Sequence, residues 1–85
     1  MPTREQLALN RAFGIAIKRL RASRKMTQED LAYGTGISLT SVARMESGAQ
    51  GVRLETILKM ARALGISGGS LVTECEKSLK KGATA

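Results

Sequence analysis

The chain has 85 residues, of which 14 are Lys or Arg and 7 are Asp or Glu, with no histidine and one cysteine, Cys75. That length allows one domain with a small core. The missing histidine excludes both a His-bearing zinc finger and a histidine-dependent catalytic triad.

A net charge of +7 and a pI near 10.4 point to a polyanionic partner, nucleic acid before an anionic membrane surface. No segment approaches the ~18 apolar residues of a membrane span. The start MPTREQLALNR has no apolar stretch of the kind a secretory signal needs. A single cysteine forms no internal disulfide, which suits a reducing cytoplasm. Hydrophobic content is 42% and aromatic content 2%, so the chain should fold around an aliphatic core.

Thr3-Arg4-Glu5-Gln6 reads as a capping box opening a helix over about residues 4–24. Leu9, Phe13, Ala16, Ile17 and Leu20 lie on its inner face, and Arg11, Lys18 and Arg19 on the other. Thr27, with Glu29 and Asp30 in the first turn, caps a second helix that Gly34 and Gly36 keep short. Ile37 lies in the turn. Ser38 caps a third helix over residues 39–47, ended by Gly48, with Val42 and Met45 facing inward. A fourth covers residues 54–64, its stripe being Leu54, Ile57, Leu58, Ala61 and Leu64, with Gly65 as the stop. A fifth starts at Ser67 or Ser70 and carries Leu71, Cys75 and Leu79 at i, i+4 and i+8. Residues 81–85 have nothing to bury and should fray. The expected architecture is all-α: one domain over residues 1–80, a compact bundle of five short helices.

Two short helices joined by a glycine-bearing turn form the helix-turn-helix pattern. A helix that enters the DNA major groove needs a face free of bulk and negative charge. The third helix has such a face. Leu39 and Thr40, at its start, suit a thymine methyl, and Arg44 suits the O6 and N7 of guanine.

FGIAIKRLRASRKMTQEDLAYGTGISLTSVARMESG resembles the Cro/C1-type (XRE-family) helix-turn-helix domain, and LETILKMARALGI resembles its fourth helix. The resemblance covers roughly residues 13–72 and implies a lambda-repressor-like fold. It also implies roles for matching positions. Leu39, Thr40, Ser41 and Arg44 would contact bases. Gln28 and Ser47 would contact phosphates, joined by Gln50 and Arg53 from the loop and helix start that follow. Arg21 and Glu46 would form a structural salt bridge. Leu39 and Ala43 are less polar than is usual at reading positions, which leaves most direct readout to Arg44.

One short helix reads too few base pairs for a unique site, so a homodimer on a palindromic or near-palindromic operator is expected, with half-sites ~34 Å apart. Leu71, Cys75 and Leu79 are the expected seam. The function that follows is transcriptional regulation through double-stranded DNA, without enzymatic activity, cofactor or metal. Restriction–modification controller proteins and small phage repressors are the nearest resemblances. An antitoxin, which would bind a toxin as well as its operator, and a protein-interaction module without DNA binding are the alternatives. Control is expected from concentration, proteolysis or a partner. Met26, Met45 and Met60 read as core filling and Cys75 as a buried thiol. Gly34-x-Gly36 has Leu39 where a dinucleotide loop needs its third glycine.

Overall fold

Four of the helices begin on a hydroxyl, and the caps set where each one starts. In the computed structural model, which describes residues 1–84 and the side chains of residues 1–80, α1 spans Arg4–Ser23 and α2 spans Gln28–Thr35. Both open on a reciprocal capping box: Gln6 N–H donates to Thr3 Oγ1 and Asp30 N–H to Thr27 Oγ1, while Gln6 and Asp30 accept from the cap N–H. The third helix, α3, spans Leu39–Ser47, with Ser38 Oγ accepting from Ser41 N–H. The fourth, α4, covers Leu54–Leu64, and α5 covers Gly68–Thr84, whose first turn is held by Ser70 N–H on Ser67 Oγ.

Gly36 and Gly48 close α2 and α3 in the left-handed conformation, as their positions predict. The end of α1 differs. It is closed by Lys25 at φ 56°, a left-handed residue that is not glycine, with the N–H groups of Lys25 and Met26 bonded back to Ala22 and Arg21. The helix α5 runs through residues 81–84, which composition assigned to a fraying tail; their side chains and Ala85 lie outside the described residues.

Ile17, Leu31, Val42, Met60, Leu64 and Leu71 are completely buried and come from all five helices, so one aliphatic core unites the chain. Phe13 and Met45 belong to it as well. Two expectations are corrected. Leu54 is 69% exposed and Leu58 52% exposed, and Met60 takes the place in the core that their stripe predicted. Leu9 also stands out to solvent, and Ala12 occupies the inner face of α1 instead. No helix among the described residues is long and apolar enough to cross a membrane.

Candidate nucleic-acid interface

The third helix is fixed from behind by Val42 and Met45, both buried in the core. Thr40, Ala43, Arg44 and Ser47 therefore share its outward side by helical spacing, with Leu39 at the leading edge. Leu39, Thr40 and Arg44 are exposed; Ser41 is half-buried at the inner margin, bonded through its backbone to Ser38. Arg44 makes no ion pair among the described residues, and neither do Arg11, Lys18, Lys25 or Arg53.

The other end of α3 is held by a charge cluster. Glu46 Oε2 accepts from Arg21 Nε at 2.6 Å and Oε1 from Arg21 Nη2 at 3.0 Å, the two-pronged geometry of a strong arginine–carboxylate pair. Arg21 Nη1 also donates to the Met26 carbonyl at 2.8 Å, which braces the α1–α2 turn. The expected Arg21–Glu46 bridge is therefore present. Gln28 Nε2 adds a third hydrogen bond to Glu46 Oε1 at 3.0 Å, tying the start of α2 to α3. Burial pushes the Glu46 carboxyl up. The hydrogen bonds from Arg21 and Gln28 and the charges of Arg21 and Lys18 outweigh it, so Glu46 sits below the usual carboxylate range. The Arg21 guanidinium is raised in turn by its bond to Glu46, against a smaller cost of burial.

Close packing completes the support. A methyl group on Gly14 would lie 2.3 Å from the Glu46 carbonyl oxygen and 2.6 Å from that of Met45. The backbones of α1 and α3 thus meet where only glycine fits. One turn earlier on α1, Arg11 lays its side-chain stem against Gly48.

Two expected phosphate ligands use their side chains in hydrogen bonds to other parts of the chain. The Gln28 amide donates to Glu46, leaving the backbone N–H groups at the start of α2 as its outward donors. Ser47 Oγ donates to the Arg44 carbonyl at 3.0 Å and accepts from Ala49 N–H, closing the end of α3. Gln50 is half-buried beside α1, while Arg53 is exposed at the start of α4 without a capping bond.

The three residues of the expected dimer seam differ in exposure. Leu71 is consumed by the chain's own core, and Cys75 and Leu79 are half-buried. The exposed apolar side chains nearby are Leu54 and Leu58, one turn apart on α4, and Val72 on α5, 44% exposed. A methyl group on Gly68 would lie 2.7 Å from Leu58 Cδ2, so Leu58 abuts the first turn of α5, one turn before Val72. Leu54 and Val72 are the exposed apolar residues one turn away from that contact on either helix. The sequence signal for the exposure of Leu54 and Leu58 was the width of the α4 stripe, too broad for a single neighbouring face to cover.

The family profile HTH_3, described as helix-turn-helix, matches residues 17–71. The chain belongs to the helix-turn-helix family. Membership upholds the Cro/C1-type resemblance. The chain is 33% identical over 67 residues to the transcriptional repressor RstR of the cryptic phage CTXphi in Vibrio cholerae, covering 79% of this chain and 60% of that one. It therefore spans less than two thirds of that relative's length. The crystal structure of the clp gene regulator ClgR from Corynebacterium glutamicum superposes with a TM-score of 0.84 at 28% identity, over 89% of this chain and 81% of that one. The restriction–modification controller protein C.AhdI from Aeromonas hydrophila superposes with a TM-score of 0.71 at 35% identity, over 73% of this chain and 94% of that one. These relatives carry the names of regulators, not of enzymes.

Proposed function

We propose that the chain is a transcriptional regulator that binds double-stranded DNA as a homodimer on a palindromic or near-palindromic operator in the cytoplasm. One observation carries the reading. The outward side of α3 presents Thr40, Ala43 and an unpaired Arg44, while its inner side is locked by Val42, Met45 and the Arg21–Glu46–Gln28 cluster. A rigid helix with a small, uncharged face and one free guanidinium suits the major groove. The named relatives, a repressor and a controller protein among them, support it.

Arg44 reads guanine, and Leu39 and Thr40 contact thymine methyls. Arg53, the N–H groups at the start of α2 and the loop after α3 set register on the phosphates. Arg11, Lys18 and Lys25 supply salt-dependent attraction. Leu54, Leu58 and Val72 pair with their copies about a two-fold axis, doubling the readout.

The test is selection of bound duplexes from a random pool at low and moderate salt. A two-fold symmetric motif that persists at moderate salt is expected. Sequence-blind enrichment that disappears with salt would refute the reading.

A further inference from the structure

We infer that the groove between the start of α1, the α3–α4 loop and α5 is a binding site for a small neutral molecule with an apolar body and a hydrogen-bonding end, and that its occupancy changes DNA binding through that loop. The groove has a volume of about 520 Å³, within the range of ligand sites. Leu9 and Phe13 of α1, Val52 and Ile57, and Val72 and Cys75 of α5 give it apolar walls. Gln6, Asn10 and Gln50 bring carboxamides to it.

Its chemistry departs from the rest of the molecule. A quarter of the chain's residues are charged, yet none of the described residues lining the groove is. A site without charge in a chain of net +7 favours a neutral occupant, since an ion would lose hydration there without gaining a partner. The uncharged amides supply both donors and acceptors for one polar end. Leu9, expected in the core, is exposed because it forms part of this wall.

The location gives the coupling. Seven of the eleven lining residues lie outside residues 17–71, so the groove is built chiefly by segments that flank the matched helix-turn-helix region. The other four are Gln50, Gly51, Val52 and Ile57, from the loop and helix that carry the proposed phosphate contacts. Gly51 lies against the Asn10 amide, at a distance where an added methyl group would be 3.2 Å from Oδ1. A molecule in the groove touches Asn10 and that loop together, and so favours one loop position over another. The binding half of the inference stands on the groove alone. The regulatory half rests on the DNA-binding reading.

The probe is N-phenyl-1-naphthylamine, a neutral apolar fluorophore with one N–H donor, titrated into the full chain. Cys75 is the chain's one thiol and lines the groove, so its alkylation by iodoacetamide reports occupancy directly. The expected result is saturable fluorescence with Cys75 alkylation slowed in parallel, both lost in Leu9→Trp, which fills the groove, and weakened in Asn10→Ala. Saturating probe should shift the affinity for a selected duplex by about fivefold or more.

Absence of saturation overturns the binding site. So does saturation that leaves Cys75 alkylation or both variants unaffected. Probe binding that vanishes as chain concentration rises assigns the groove to a second copy and also overturns it. An unchanged DNA affinity at saturating probe refutes the coupling. Failure to bind DNA without any probe strikes the regulator reading instead, and leaves the probe result standing.

Discussion

Glu46 accepts hydrogen bonds from two other helices and is the least exposed of the ion-paired acids among the described residues. Replacing it by Gln leaves Arg21 with a charge and no counter-ion, at a cost of about 3 kcal/mol, read from urea unfolding. Its carboxyl is held below the ordinary range in the folded chain, so the stability it contributes is fully present above the ordinary carboxylate range and is lost as the pH falls through that range and below it. The acid limb of the stability–pH curve should therefore be shallower in Glu46→Gln than in the unaltered chain; equal limbs would show that the pair does not govern acid stability. Ser78 is the opposite case: its buried Oγ has no hydrogen-bond partner among the described residues. Ser78→Ala removes the unpaired hydroxyl and favours the helix, so it should stabilise by about 1 kcal/mol in the same assay. A loss of stability would mean the hydroxyl is bonded in solution.

At the scale of elements, the junction of α1 with α3 decides where the outward side of α3 sits. The neighbours of Gly14 are backbone carbonyls, which yield far less than a flexible side-chain tip. Gly14→Ala should cost about 2 kcal/mol and weaken DNA binding beyond any effect of unfolding, because the helices must separate. Unchanged binding in the folded variant would show that the contact does not set the helix position. The helices themselves were legible from hydroxyl caps and closing glycines, because both act within a few residues of the boundary. The end of α1 lacked such a mark, since Lys25 adopts a left-handed backbone that side chains normally avoid. Helix faces were less legible than helix ends. On α4, Leu54 and Leu58 fit the periodicity as well as Ile57 and Leu64 do, and only packing against α2 and α5 separates inner from outer. The second partner of Glu46 was equally hidden, because Gln28 reaches it across a separation of 18 residues.

For the whole molecule, the proposed function requires the exposed apolar residues and the outward side of α3 to act together. A dimer held by Leu54, Leu58 and Val72 should dissociate in Leu54→Ser/Leu58→Ser while helix content stays unchanged, as measured by sedimentation and circular dichroism. A variant that stays dimeric would move the seam elsewhere. The central claim is that α3 reads bases through Arg44 while Arg53 only holds the backbone. The most direct measurement titrates a selected duplex, and its single-base variants, with the unaltered chain, Arg44→Ala and Arg53→Ala at several salt concentrations. Loss of a two-pronged base contact should cost Arg44→Ala about 1–3 kcal/mol and erase the preference at one guanine position. Arg53→Ala should weaken all sequences alike and reduce the salt slope by about one. Uniform weakening by Arg44→Ala, with every base preference intact, would contradict the account.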